Sequence, residues 1–151
     1  MMAKEELTDA AVKFLLAHKT GALATQSVKH PGYPSTSSAP FSVNADGSIV
    51  FFFSSMATHT KNLKSDSRSS LLVDGTHGDF SGSRLTIIGD VAASDESREQ
   101  FEHYFEQHPQ AKQWASFGDF QFYVLQPKDV YFVAGFGSMG WITGADFQNA
   151  V

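Results

Sequence analysis

Three consecutive phenylalanines, Phe51-Phe52-Phe53, run directly into Ser54-Ser55-Met56-Ala57-Thr58-His59-Thr60-Lys61-Asn62-Leu63. The apolar half predicts a buried strand over Ser48 to Phe53, and the second half predicts a helix start. A strand that ends on a helix N-terminus gathers free backbone N–H groups and the positive end of a helix dipole in one place. Ser54, Ser55, Thr58 and Thr60 add hydroxyl donors there, and Lys61 adds a full charge. Such a junction has the chemistry of a phosphate cradle. It equally suits an N-capped helix with nothing bound.

The rest of the chain arranges itself around that junction. Thr8 to His18 predicts a helix with Thr8 as N-cap, Asp9 in its first turn and Gly21 as its stop. Ala22 to Val28 predicts a first strand. After the Pro31-Gly32 turn, Pro34 to Val43 predicts a second, carrying Ser35-Thr36-Ser37-Ser38 in a row and Pro40 as the mark of an edge, bend or bulge. The turn Asn44-Ala45-Asp46-Gly47 then makes a hairpin with the strand containing the phenylalanines. Ser69 to Asp74 and Arg84 to Ala93 predict two more strands around a glycine-rich loop, Gly75 to Gly82, and Gly89 predicts a bulge or sharp bend. A helix over Ser94 to His108 and a short one over Gln110 to Ser116, carrying Trp114, follow. Phe120 to Gln126 and Val130 to Val133 predict strands separated by a turn at Pro127-Lys128-Asp129, with a short tail after Gly135 to Ile142. Short links between strands imply a mostly antiparallel sheet. The expected fold is β-rich α+β, a split β-barrel with helices packed outside.

The length, 151 residues, suits a single domain over 1–151. Fourteen Phe, four Tyr and two Trp suit a β-rich core, a flat ligand, or both. The net charge is −5 and no basic tract is present, which argues against nucleic acid as the main partner. With no cysteine, disulfides, thiolate catalysis and cysteine-ligated metals are excluded. The polar start Met1-Met2-Ala3-Lys4-Glu5-Glu6 is no signal region, and no apolar run reaches the ~18 residues of a membrane span, so a cytoplasmic protein without membrane contact is expected.

Enzyme motifs are mostly missing. The six histidines form no HExxH or HxH spacing, so no metal site is expected. Gly135-x-Gly137-x-x-Gly140 matches GxGxxG in form, but it lies near the C-terminus with no helix and no second strand expected behind it. What remains is a ligand inventory: the hydroxyl strand Ser35 to Ser38, the Ser54 to Lys61 cradle, Arg84, and the glycine-spaced Trp141. A flat, anionic, phosphorylated aromatic suits all four, and a nucleotide-type flavin is one such molecule. No catalytic side chain can be named.

Several spaced segments agree in order: Gly21-Ala22-Leu23-Ala24-Thr25; Tyr33-Pro34-Ser35-x-x-Ser38-x-Pro40-Phe41; Ser54 with His59-Thr60-Lys61-Asn62-Leu63; Arg68-x-Ser70-Leu71-Leu72; Gly82-x-Arg84-Leu85-Thr86-x-x-Gly89; and Gly135-Phe136-Gly137-x-x-x-Trp141-Ile142. In this the chain resembles the FMN-binding split-barrel flavoproteins related to pyridoxamine 5'-phosphate oxidase, above all their haem-utilisation branch. The resemblance implies a homodimer with FMN at the subunit interface and a small-molecule redox partner. It places Ser35, Thr36, Ser37 and Ser38 along the flavin ring, and Ser54, Ser55, His59, Thr60 and Lys61 at the phosphate and ribityl chain. It also puts Arg84 and Thr86 near ring or phosphate, and Trp114 or Trp141 against the partner's cofactor. The Arg-x-His pair that grips pyridoxamine phosphate has no counterpart in Ile142-Thr143-Gly144, which argues against vitamin B6 oxidation. The C-terminal domain of the haem-degrading relatives is likewise not expected in a chain ending at Val151. The implied activity is an FMN-dependent oxidoreductase of unknown substrate, and the alternative is a non-catalytic flavin or haem carrier.

Overall fold

The computed structural model describes residues 2–96 and 101–151. Its elements are helix α1 (Lys4–Leu16), strands β1 (Thr20–Gln26), β2 (Pro34–Pro40), β3 (Ser42–Val43) and β4 (Ile49–Ser54), helix α2 (Thr58–Ser65), and strands β5 (Arg68–Asp74) and β6 (Arg84–Ala93). Then come helix α3 (Glu102–Gln107), a 3-10 turn at Pro109–Ala111, helix α4 (Lys112–Ala115), strands β7 (Phe120–Gly135) and β8 (Ser138–Thr143), and helix α5 (Gly144–Ala150). All pairings are antiparallel, in the order β2-β1-β5-β6-β7-β4-β3, with β8 also on β7. The two end strands of that order, β2 and β3, are successive stretches of one run of chain interrupted at Phe41. The sheet therefore curls back on itself, and the fold is the antiparallel split-barrel α+β type that the sequence predicts.

Phe41 is the seam. Its side chain is fully buried, its N–H donates to the Lys19 carbonyl at 2.8 Å, and its carbonyl accepts from the His108 ring at 2.8 Å. Pro40, just before it, has no N–H to offer a ladder and ends β2. Inside the barrel, Leu23, Phe51, Leu71, Ile87, Leu125 and Val130 form one core, to which α1 adds Leu7, Ala11 and Leu15 and α5 adds Phe147. The triple phenylalanine follows from β4 being buried on both sides. Phe51 and Phe53 face this core, while Phe52 points the other way into a second cluster with Phe101, Tyr104, Phe105 and Phe122. Each such burial stabilises by roughly 1.5–3 kcal/mol.

The sequence expectation needs correcting at five places. Helix α1 begins at Lys4, not Thr8; Thr8 sits inside it and its hydroxyl donates to the Lys4 carbonyl at 2.9 Å. Gly21 is no helix stop but lies in β1. Pro127-Lys128-Asp129 is no turn: β7 runs unbroken for 16 residues. The register with β6 steps from Ile88↔Asp129 to Gly89↔Pro127, so Lys128 is the extra residue of a bulge that absorbs the proline's missing donor. Gly89 is required there, because a Cβ would lie 2.1 Å from the Gln126 carbonyl oxygen. The segment Gly135 to Ile142 carries strand β8, and the short tail after it is helix α5, capped by Thr143, whose hydroxyl accepts from the Asp146 N–H at 3.1 Å. Of the helix expected over Ser94 to His108, Glu102–Gln107 is helical, and residues 97–100 lie outside the described residues.

Candidate functional site

Strand alternation sends Leu71, Val73, Leu85 and Ile87 inward and their neighbours outward. On the outer side the registers line up one row across six strands: Ser38, Ala22, Leu72, Thr86, Tyr131, Trp141. A parallel row reads Thr36, Ala24, Ser70, Ile88, Asp129, Thr143. At about 4.8 Å per strand, each row spans about 24 Å. The β1–β2 side of this face is small and hydroxylated, and the β7–β8 side is a wall in which Tyr131 and Trp141 meet at 5.0 Å. Leu72, Ile88 and Trp141 stay 41%, 38% and 54% exposed, so this apolar surface is bare.

The hydroxyl strand is divided by the same alternation. Thr36 and Ser38 lie on the outer face, whereas Ser35 and Ser37 lie on the other side and are half-buried. The Ser35 carbonyl accepts from the Thr25 hydroxyl at 3.4 Å. Only half of the four-residue run therefore serves the outer surface.

The expected cradle lies at the far end of the barrel. Helix α2 starts at Thr58 after an Ala57 N-cap that provides no side-chain cap. Thr60 is fully buried with its hydroxyl unpartnered, and His59 Nε2 is also buried and unpartnered. The His59 ring packs edge-on against Phe53 at 4.2 Å, and burial lowers its pKa, which favours neutral imidazole. Lys61 is exposed. Ser54 is engaged: its hydroxyl donates to the Asp119 carboxylate at 2.7 Å and accepts from the Met56 N–H at 3.2 Å. The Ser55 N–H donates to the Asp119 carbonyl at 2.8 Å. Asp119 escapes sequence reasoning because it lies 65 residues from Ser54. Asn62 fixes the helix: its Oδ1 accepts from the Val28 N–H and its Nδ2 donates to the Thr25 hydroxyl, both at 3.0 Å.

Arg84 does not join that cradle. It opens β6 opposite Asp74, while Asp90, six residues on, pairs with Arg68 directly after α2. Along β7, Ser54 is in register with Phe120 and Arg84 with Val133, at opposite ends of that strand. The Arg84 guanidinium lies over the Phe80 ring at 5.5 Å, and its Nη1 is buried without a partner. Asp74 does not neutralise it through a hydrogen bond. Its carboxylate accepts from the Thr76 hydroxyl at 2.6 Å and the Thr76 N–H at 2.9 Å, which hold the Asp74 pKa below the usual range. Thr86, two residues along, belongs to the outer row. The tryptophans separate likewise: Trp141 is on the outer face, and Trp114 stacks on Phe120 at 5.9 Å, beside Ser54 in the β4–β7 register.

With that geometry in place, the chain can be compared with known proteins. Over 117 residues it is 40% identical to the "Non-canonical heme oxygenase HOZ, chloroplastic" of Arabidopsis thaliana, a stretch covering 76% of this chain and 36% of HOZ. The chain thus spans about a third of that curated relative. A heme binding protein from Mycobacterium smegmatis superposes with a TM-score of 0.84 at 22% identity, over 99% of this chain and 62% of that one. A protein of the pyridoxinephosphate oxidase family from Clostridium acetobutylicum superposes with a TM-score of 0.71 at 12% identity, over 93% and 96% of the two chains. These structures share the fold. No helix among the described residues is long and apolar enough to cross a membrane. The model of the family described as "CREG, beta-barrel" matches residues 4–149, and the chain belongs to that family.

Proposed function

We propose that this chain binds haem on the outer face of its sheet, with a second copy of the chain closing over that face. The observation that carries the reading is the register row from Ser38 to Trp141. It is a bare surface about 24 Å wide, with an aromatic wall on one side. A flat macrocycle needs such an apolar plane, and its carboxylate arms need a cation. Arg84, two residues before Thr86 in β6 and so on the same face, presents a guanidinium whose buried Nη1 has no partner. The residues present therefore fit the group. Haem would supply an iron centre able to bind small ligands. The protein's residues would shield the ring from water, orient it by its carboxylates, and leave one side open. The identity with HOZ supports the same reading, and degradation of bound haem is its catalytic extension. Carriage without turnover is the other form it can take.

Haem titration of the purified chain, followed by the Soret band and by mass under native conditions, tests this. The expected result is saturable uptake by a dimer, lost when Leu72 and Ile88 are replaced by lysine. Absence of a Soret shift on stoichiometric addition overturns it.

A second reading, FMN, is favoured by α2: its N-terminus is uncapped and the buried Thr60 hydroxyl lacks a partner. FMN phosphate at that helix start would make the chain a flavoprotein, with an oxidoreductase activity as its consequence. Lys61→Ala should then weaken FMN by about 1.5–3 kcal/mol, the range for a hydrogen bond to a charged group. Equal affinity for FMN and riboflavin in the unaltered chain removes this reading.

A further inference from the structure

Of the six histidines, five are hydrogen-bonded to a carbonyl, carry a buried ring nitrogen, or lie away from Arg84. His18 Nδ1 lies 2.7 Å from the Phe14 carbonyl, and His108 is bound to the barrel seam. His59 and His103 have their Nε2 atoms buried. His30 is exposed, but in the β1–β2 turn, at the barrel end away from Arg84. His77 differs from all of these. It is exposed, it lies in the loop between β5 and β6 that also carries Phe80, and that loop leads directly into Arg84.

The loop holds His77 in an unusual way. His77 has φ +50, the one described non-glycine residue in the left-handed region. Such a conformation persists only where the surroundings fix it. Here they do. The Asp79 N–H donates to the Thr76 carbonyl at 2.8 Å, the Gly82 N–H to the Asp79 carbonyl at 2.9 Å, and the Gly75 N–H to the Ser83 carbonyl at 2.9 Å. These bonds fix the backbone from which the imidazole projects. Phe80, 68% exposed, lies in the same loop, and the Arg84 guanidinium lies over one face of its ring. The Asp74 carboxylate lies within electrostatic reach of both His77 and Arg84, so these two groups share one end of the sheet.

We propose that His77 is the residue of this chain that ligates iron in an iron tetrapyrrole, with Phe80 against the macrocycle and Arg84 on its carboxylates. The inference rests on the haem reading above and names the residues that hold the iron. An imidazole nitrogen is a common protein ligand to haem iron, and the neutral form is the one that binds.

The test is ferric haem titration of the full chain, read by Soret position and by the low-spin signal in electron paramagnetic resonance. The variants are His77→Asn, His30→Asn and Arg84→Gln. Asparagine tolerates the left-handed conformation and so preserves the loop. The expected result is an imidazole-ligated spectrum in the unaltered chain and in His30→Asn. In His77→Asn the Soret band shifts and the low-spin signal is lost while haem is still taken up, and added imidazole restores both. Arg84→Gln should weaken uptake without changing the ligation spectrum. An unchanged spectrum in haem-loaded His77→Asn overturns the inference and leaves haem binding standing. Transfer of the loss to His30→Asn also overturns it, and marks adventitious surface ligation. Failure of the unaltered chain to take up haem overturns both this inference and the reading beneath it.

Discussion

Strands β4 and β6 lie in the same sheet, yet their outer faces differ. On β4, Phe52 is 6% exposed beneath Tyr104, Phe105 and Phe122, with ring centroids at 6.1, 5.4 and 4.6 Å. On β6 and its neighbour β5, Ile88 and Leu72 stand 38% and 41% exposed. The segment between β6 and β7 closes the first face with aromatic rings, and among the described residues nothing comparable closes the second. On the reading proposed above, haem and a second copy of the chain cover that second surface. Monomeric proteins seldom leave a broad apolar patch without a function for it.

Mutations can sharpen or break that contrast. The largest effect is expected at Phe52→Ala, about 3–5 kcal/mol of unfolding free energy, because the second cluster loses its centre; chemical denaturation measures it. A loss below 1 kcal/mol would mean that the α3 region does not hold the β4 face shut. Next comes Asn62→Ala, which leaves the Val28 N–H without its acceptor and removes the amide that donates to the Thr25 hydroxyl, and should cost about 1–3 kcal/mol in the same assay. Smaller again is a pH effect at His59. Burial lowers its folded pKa below the 6.5 of the unfolded chain, so the unfolded state takes up a proton first. The contribution of neutral His59 is therefore fully present above pH 6.5 and declines as pH falls from 6.5 toward the folded pKa. The urea midpoint of His59→Phe should fall less over that window than that of the unaltered protein; equal slopes sink the assignment. The smallest change in monomer stability, within about 0.5 kcal/mol, is expected for Leu72→Ser on the bare face. That same variant should weaken self-association in sedimentation, and a dimer of undiminished affinity would mean the bare face is not where copies meet.

The sequence could disclose what is local. Strand β6 was legible end to end from its alternation, and Gly89 from its position within it. The start of α2 was legible from the change of residue type after Phe53. The extension of β7 through Pro127 was not, because the bulge that excuses the proline depends on Gly89, far away in the chain and opposite it in the sheet. Strand β8 was hidden by Gly140 within it and Gly135 and Gly137 before it, although the cap Thr143-x-x-Asp146 was there to read. At the site, the hydroxyl run looked like one surface, and the pleat divides it between two. The association of Ser54 with Asp119, and the placement of Ser54 and Arg84 at opposite ends of β7, are consequences of how strands neighbour one another, which residue patterns alone do not encode.

The seam at Phe41 carries a consequence for how the chain reaches this structure. Hairpins such as β1–β2 and β3–β4 form from neighbouring residues, so each can appear early and alone. The bond from His108 to Phe41 joins residues 67 apart, and it forms only once the intervening strands are in place. Barrel closure is thus expected to be the late event of folding. Substitution at Phe41 or His108 should hasten unfolding while leaving the folding rate nearly unchanged. The chain would be caught, briefly and in each cycle, as an open curled sheet with its interior still accessible along a single line.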